Sequence, residues 1–178
     1  MALSLARGGA EFPTPNRRLF HDRFKQAIKE AERYGRKMAV LYMDMDKCKS
    51  INDTLGHDVG DELLKQVAER VSGCLRESDL FARQGGDEFT ILLAEIRDEQ
   101  DAIEVAHRIL SSLQEPWKIR EHIFTTTLSL GVSFYPSDAI TRRTLVKYAD
   151  EALYDAKQSG KNNVKIYSQR LEAISEKA

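Results

Sequence analysis

The apolar positions of this chain follow two spacings, which predict helices alternating with short strands. Apolar residues that recur every three or four positions form one face of a helix, and this spacing occurs over residues 16–34, 61–75, 98–113 and 141–158. Short runs rich in β-branched, aromatic and other apolar residues predict strands, and they lie at 38–43, 79–94, 125–135 and 164–167, the second being a hairpin. A small extra hairpin is predicted at 117–124, and the polar, glycine-containing stretch 52–60 predicts a loop or a broken helix.

The order of these elements predicts a single α+β domain. Strand, helix, strand, strand, helix, strand, with additions, is the order of a ferredoxin-like sandwich, in which helices cover one mixed, mainly antiparallel sheet. At 178 residues the chain is long enough to bury the core of such a domain. No repeat or low-complexity stretch interrupts the pattern.

The composition is that of an ordinary globular protein, and it narrows the range of partners. Hydrophobic residues make up 42% of the chain and charged residues 31%, and the formal net charge of −1 provides no basic field for nucleic acid. No apolar run reaches the length of a membrane span. The two cysteines, Cys48 and Cys74, lack a metal-binding spacing, which favours a reducing compartment. The lack of a targeting segment predicts a cytoplasmic location.

Both ends of the chain are predicted to lie outside the domain, which we place at residues 15–168. Residues 1–14 lack the sustained apolar stretch of a secretion signal and are interpreted as a linker or a remnant of cloning. The tail 169–178 is charged and helix-prone, and it is interpreted as leading to a further domain in a longer protein.

The most informative local motif is the sequence Arg-Gln-Gly-Gly-Asp-Glu-Phe at residues 83–89, which lies between two strand-like runs. Paired glycines there predict a tight hairpin turn, because glycine adopts the positive φ that such turns need. Asp87 and Glu88 place two adjacent carboxylates at this turn, where they repel each other. A cation such as a metal-bound phosphate would compensate them, whereas a solvated acidic turn is the alternative.

A second pair of acids, Asp44 and Asp46, follows the buried strand at 38–43. Alternate residues of a strand share one face, so these side chains point together only if the strand continues. Hard oxygen ligands from this strand and from the hairpin suit Mg²⁺. We interpret Asp44 as a ligand, and Asp46 as either a helix cap or a residue that supports the site.

Three further groups of polar residues have both a structural and a functional interpretation. Asn, His and Asp side chains in the glycine-rich stretch 52–61 can recognise guanine or can serve as turns and caps. Two lysines near the end of the last helix can complement the helix dipole or bind phosphates, and there is no Walker-type loop. An Arg-x-x-Asp pair before the hairpin can bind a guanine edge or a phosphate, or form a surface pair. These residues are Asn52, His57, Asp61, Lys157, Lys161, Arg76 and Asp79.

Together these motifs resemble the GGDEF-domain family of diguanylate cyclases, and the resemblance extends from Pro15 to Tyr167. The motifs occur in order, at plausible spacing, at residues 15–20, 44–53, 56–61, 83–89 and 149–154. The resemblance implies a palm-type fold like that of nucleotidyl cyclases and polymerases. It also implies condensation of two GTP into cyclic di-GMP with release of two pyrophosphates.

The resemblance also implies a role for each candidate residue. Asp44, the Met45 carbonyl and Asp87 would hold Mg²⁺ or Mn²⁺, two ions per active site, with Glu88 supporting the metal site. Asp87 would also be the candidate base for the ribose 3′-hydroxyl. The nucleotide would be bound by Asn52, His57 and Asp61, of which the first and last recognise guanine. Phosphates would be faced by Lys49, Lys157 and Lys161, the first of which would stabilise charge in the transition state.

Regulation and assembly follow from the same resemblance. Each domain would bind one GTP, so catalysis would require a homodimer, and Arg76 with Asp79 would form an inhibitory product site. Two departures from the family pattern are Cys48, in place of the usual phenylalanine, and Lys161, in place of the usual arginine. Neither removes a catalytic group. The alternative is a weakly catalytic module that binds GTP or cyclic di-GMP and regulates a fused partner such as a phosphodiesterase.

Overall fold

The computed structural model describes residues 17–170. The interpretations of residues 1–14 and of most of the tail therefore lie outside the described residues. The helices lie at Arg17–Tyr34 (α1), Cys48–Leu55 (α2), His57–Gly73 (α3), Glu99–Gln114 (α4) and Arg142–Gln158 (α5). The strands lie at Lys37–Met45 (β1), Leu80–Gly85 (β2), Glu88–Ile96 (β3), Trp117–Ile119 (β4), His122–Phe124 (β5), Leu128–Tyr135 (β6) and Val164–Ile166 (β7).

The main sheet has five strands in the order β2-β3-β1-β6-β7. β1 lies at its centre and pairs antiparallel with β3 and with β6. The first four strands of this order, with α3 and α4 as the connecting helices, form the predicted ferredoxin-like α+β sandwich. β7 extends the sheet by pairing parallel to β6, while β4 and β5 form the predicted separate hairpin.

Side chains alternate along β1 and bury a separate core on each face of the sheet. Leu41, Met43 and Met45 pack in the larger core, which includes apolar residues of α3 and α4. Met38 and Val40 pack in a smaller core with residues of α1 and α5. None of the helices within residues 17–170 is long and apolar enough to cross a bilayer.

α5 packs unusually close to β6, and this contact depends on Gly131. A Cβ atom at Gly131 would lie 2.0 Å from the Ala149 carbonyl oxygen and 2.3 Å from the Leu153 nitrogen, both backbone atoms of α5. The Ser133 hydroxyl donates a 2.6 Å hydrogen bond to the Leu145 carbonyl and adds a second link between the same two elements. The position of α5, and of every side chain it carries, is therefore set by its direct contact with the sheet.

The segment after α5 also returns to that helix. Residues 167–170 are helical, and the Tyr167 ring stacks on Tyr148 with 3.9 Å between the ring centroids. Arg170 forms ion pairs with Glu151 at 2.9 Å and with Asp155 at 2.8 Å. The start of the tail is thus attached to the outer side of α5.

The structure decides between alternatives that the sequence left open and corrects the predicted start of α3. The stretch 52–60 is a broken helix, one of its two predicted forms, because α2 continues to Leu55 and α3 begins at His57, with a break at Gly56, where φ is 96°. Asp61 consequently does not begin a helix, and Asn52 lies within α2 rather than in a turn. Asp46 is not a helix cap: the residue before α2 is Lys47, and no side-chain capping bond is formed there.

Candidate active site

The candidate site lies where the carboxyl end of β1 meets the β2–β3 turn and the end of α5. β1 continues two residues beyond its predicted end, which places Asp44 opposite Glu88 of β3 and opposite Ser129 of β6. The Met45 N–H donates to the Asp87 carbonyl at 3.4 Å, so the turn is attached to β1 through its backbone. Residues that are distant in the sequence therefore converge at one edge of the sheet.

Asp44 and Asp87 form a pair of facing carboxylates. Burial, the charge of Asp87 and contact with its carboxylate raise the pKa of Asp44 to about 7, although Lys157 opposes this shift. The Asp44 Oδ1 atom is buried and has no hydrogen-bond partner among the described residues. A buried acceptor without a donor is costly, and two carboxylates with a nearby main-chain carbonyl are the donor set that suits Mg²⁺ or Mn²⁺. The residues present fit such an ion.

Glu88 lies beside this pair and has its own partner. The Tyr42 hydroxyl donates to Glu88 Oε2 at 3.0 Å. Burial is the main cause that raises the pKa of Tyr42 above its ordinary value, and the negative charge of Glu88 raises it further. Burial and Glu88 also raise the pKa of Asp150 on α5. No local motif indicates the contact between Tyr42 and Glu88, because the two residues meet only through the pairing of β1 with β3.

Lys157 reaches from α5 to the end of β1. Its Nζ atom lies 2.8 Å from Asp46 Oδ1, 3.2 Å from the Met45 carbonyl, and 3.4 Å and 3.6 Å from the carbonyl and carboxylate oxygens of Asp44. This cation thus touches two of the residues expected to hold the metal. The Asp46 carboxylate is fully buried, which favours the interpretation of Asp46 as a residue that supports the site.

The candidate nucleotide side lies on α2 and α3. Asn52 is half-buried, and its Oδ1 atom is buried without a hydrogen-bond partner among residues 17–170. Lys49 on the same helix, and His57 and Asp61 on α3, are exposed. Sequence reasoning missed Gly60, which gives the Asn52 amide its space: a Cβ atom there would lie 1.6 Å from Asn52 Oδ1.

Gly60→Ala should therefore reduce GTP binding without reducing stability. Alanine is favoured over glycine inside a helix by up to about 1 kcal/mol, but its methyl group would displace the Asn52 amide. We expect GTP affinity to fall about tenfold, the loss of one or two hydrogen bonds, as measured by calorimetric titration. In an Asn52→Ala background the same substitution should have no further effect on affinity, and an equal loss in both backgrounds would contradict the coupling.

The Asp44 pKa also predicts how the stability of the metal-free protein depends on pH. Between the ordinary value of 3.8 and about 7, the folded chain binds more protons at Asp44 than the unfolded chain does. The contribution of Asp44 to the free energy of unfolding is fully present below pH 3.8 and is lost as the pH rises through about 7. In thermal unfolding experiments in EDTA, the wild type should lose more stability between pH 5 and pH 8 than Asp44→Asn does. Equal losses would contradict the raised pKa.

Arg76 and Asp79 lie away from this site, in the tight turn before β2. The Arg76 N–H donates to Asp79 Oδ2 at 2.9 Å, and burial raises the pKa of Asp79 although this bond opposes the shift. The Asp79 side chain is thus held by the backbone, while Arg76 is exposed. Both residues line an open pocket of about 110 Å³ that also includes Arg97, Asp101 and Arg108.

Comparison with known proteins assigns the whole domain to one family. The family model described as diguanylate cyclase, GGDEF domain, matches residues 14–163. MucR from Pseudomonas aeruginosa, described as a bifunctional diguanylate cyclase/cyclic di-GMP phosphodiesterase, is 40% identical over 97% of this chain and 27% of MucR. TpbB from the same species, described as a diguanylate cyclase, is 40% identical over 85% of this chain and 35% of TpbB.

Solved structures agree with this assignment. The isolated GGDEF domain of TpbB superimposes with a TM-score of 0.87 at 37% identity, covering 93% of this chain and 99% of that domain. The GGDEF domain of DgcB from Caulobacter crescentus, solved in complex with c-di-GMP, superimposes with a TM-score of 0.81 at 27% identity, covering 92% and 96%. The chain spans about a quarter to a third of the length of the two curated relatives.

Proposed function

The chain belongs to the GGDEF domain family of diguanylate cyclases, and from this premise we propose that it condenses two GTP molecules into cyclic di-GMP and two pyrophosphates. The observation that carries the proposal is the Asp44–Asp87 carboxylate pair, in which the Asp44 Oδ1 atom is buried without a hydrogen-bond partner among the described residues. A structural acidic turn would not need a carboxylate oxygen buried without a donor. Because GTP is a cytoplasmic nucleotide, we place the domain in the cytoplasm.

Asp44, the Met45 carbonyl and Asp87 would hold Mg²⁺ or Mn²⁺, two ions per site, with Glu88 in support. When bound, the metal would lower the pKa of the attacking 3′-hydroxyl and offset the charge of the α-phosphate. Asp87 lies in the turn, where it can accept the proton of that hydroxyl. The Tyr42 hydroxyl holds Glu88 in place through its 3.0 Å hydrogen bond.

The remaining candidate residues would bind either the guanine ring or the phosphates of GTP. Asn52 and Asp61 would recognise guanine through an amide and a carboxylate, and His57 lies beside them at the start of α3. Lys49, Lys157 and Lys161 would bind phosphates, and Lys49 would stabilise the charge that develops during transfer. One chain provides one set of these groups, so we propose that two domains face each other in a homodimer.

The proposed activity can be tested by incubating the full chain with GTP and Mg²⁺ over a range of protein concentrations. Chromatography should show cyclic di-GMP, and the rate per mole of protein should rise with concentration, because two domains must meet. A folded chain that binds GTP but forms no product, even when two copies are covalently linked, would refute the cyclase proposal.

The pocket around Arg76 and Asp79 is proposed as an inhibitory site for cyclic di-GMP. The exposed Arg76 guanidinium can donate two parallel hydrogen bonds to a guanine edge or to a phosphate. The solved DgcB domain, to which this chain is similar, was obtained with c-di-GMP, which makes product binding by this fold a reasonable expectation.

Arg76→Ala should relieve product inhibition and leave the uninhibited rate unchanged. Its guanidinium is exposed, and the turn is held by the Asp79 carboxylate and the backbone, so the fold should persist. We expect the concentration of cyclic di-GMP that halves the rate to rise at least about tenfold, as for the loss of a charge-assisted bond. Initial rates with added cyclic di-GMP measure this, and unchanged inhibition would show that the product site lies elsewhere.

A second candidate function is a regulatory module that binds GTP or cyclic di-GMP without turnover. The similarity to MucR, whose name includes a phosphodiesterase activity, favours keeping this candidate. The same incubation separates the two, since the module would bind nucleotide at any protein concentration and form no cyclic product.

A further inference from the structure

Asp46 has more hydrogen-bond partners than any other carboxylate of the candidate site, and the proposed chemistry gives it no role. Its side chain has no exposed surface. Oδ1 accepts from Lys157 Nζ at 2.8 Å and from the Ser129 hydroxyl at 2.7 Å. Oδ2 accepts from the Thr127 hydroxyl and from the Asn162 N–H at 3.0 Å. A buried carboxylate with four donors is fixed in one orientation.

These donors come from separate parts of the chain. Thr127 directly precedes β6 and Ser129 lies at its start, Lys157 lies in the last turn of α5, and Asn162 lies in the loop before β7. The Thr127 carbonyl also accepts the Asp46 N–H at 2.9 Å. Asp46 therefore joins the end of β1 to the end of α5, which carries Lys157, and to the loop that carries Lys161.

The loop after α5 needs such an attachment because its backbone is strained. Lys161 and Asn162 both have positive φ, 65° and 48°, a conformation that residues other than glycine adopt at an energetic cost. The hydrogen bond from the Asn162 N–H to Asp46 holds this pair of residues. Together with the hydrogen bond from the Lys161 N–H to the Ala156 carbonyl at 3.0 Å, this bond fixes the direction in which Lys161 leaves the loop.

We propose that Asp46 is a positioning residue that fixes Lys157 and the Lys161–Asn162 loop as one phosphate-binding unit before the nucleotide arrives. The inference rests on the proposed function, which assigns these two lysines to phosphate. A side chain set in advance loses less conformational freedom on binding. Removing the anchor should therefore weaken binding of the polyphosphate and leave recognition of the base intact.

Two probes separate the two halves of the nucleotide. Inorganic tripolyphosphate reports on the phosphate side and guanosine on the base side, and both are titrated in EDTA against the full chain by calorimetry and NMR. Asp46→Asn keeps the shape of the side chain but turns an amide NH₂ towards groups that donate. We expect tripolyphosphate affinity to fall at least about tenfold, the loss of charge-assisted bonds, and guanosine affinity to stay unchanged.

Asp138→Asn provides a matched control. Asp138 is also a partly buried carboxylate that accepts a backbone N–H, from Phe134 at 2.7 Å, but it lies at the opposite end of β6. Neither probe should respond to this change. If Asp46→Asn does not fold, Ser129→Ala removes one donor to Oδ1 and should lower tripolyphosphate affinity about threefold, the loss of one weak bond.

Three outcomes would overturn the proposal. They are unchanged tripolyphosphate affinity in the folded variant, an equal loss for guanosine, and a wild type that does not bind tripolyphosphate. These outcomes are distinct from failure of the cyclase function. If tripolyphosphate affinity depends on Asp46 but the chain makes no cyclic di-GMP, the positioning role stands and the cyclase activity is refuted. If the chain makes cyclic di-GMP but tripolyphosphate affinity does not depend on Asp46, only the positioning role is refuted.

Discussion

Asp87→Asn should abolish cyclic di-GMP formation while leaving the fold at least as stable as the wild type. The side chain is the candidate base and a candidate metal ligand, so we expect a loss of at least about a hundredfold in rate. Its backbone carbonyl, which accepts the Met45 N–H, is unaffected by the substitution. Asp44 loses the facing charge that raises its pKa, so repulsion in the metal-free protein decreases. Product formation and thermal unfolding in EDTA measure the two effects together.

Asp22→Asn is a suitable control for this experiment. Asp22 is an exposed acid on α1, so the change has the same chemistry without the facing carboxylate, and neither rate nor stability should change. A variant at Asp87 that keeps a tenth or more of the wild-type rate would show that the proton acceptor and the main ligand are elsewhere. A loss of both rate and stability would indicate a structural role.

Gly131→Ala should have the largest effect on stability, because the added methyl group would meet backbone atoms that cannot rotate away. The Ala149 oxygen and the Leu153 nitrogen lie 2.0 Å and 2.3 Å from the new Cβ position. α5 must move outward from β6, and overpacking of this kind costs about 3 kcal/mol. For a domain of this size the unfolding midpoint should fall by about 6–12 °C, as measured by calorimetry.

The same substitution should also weaken phosphate binding, since Lys157 moves with α5. Gly73→Ala is the matched control, because a Cβ atom at the last residue of α3 would have no neighbour within 4 Å. Its unfolding midpoint should change little or rise. If Gly131→Ala proved as stable as Gly73→Ala, the close contact between α5 and β6 would not determine the position of the helix.

Local sequence determined most of the fold. The periodicity of α1, α4 and α5 and the apolar strands predicted the ferredoxin-like order, because these segments agree in pattern and propensity over many residues. The break between α2 and α3 was ambiguous for a physical reason. Polar residues around Gly56 suit both a loop and helix ends, and only packing of the apolar side of α3 against the sheet settles the choice.

The candidate site was predictable as a set of residue types but not as a set of contacts. Asp44 and Asp87 were each identified from strand ends and turns, yet their proximity comes from the pairing of β1 with β3. The choice between capping and support for Asp46 depended on Ser129 and Lys157, which lie 83 and 111 positions further along the chain. Gly60 was missed because a glycine inside a helix gives no local signal of the side chain it accommodates.

The contact between Lys157 and the oxygens at the end of β1 has a consequence for the domain without ligands. The ammonium group is a built-in counterion: it offsets the negative charge of Asp44 and Asp46 before any divalent ion is present. The fold should therefore not require metal for its integrity, unlike small domains whose structure collapses when a chelator is added. A nucleotide would then meet an ammonium group that Asp46 already holds in place, so less conformational freedom would be lost on binding.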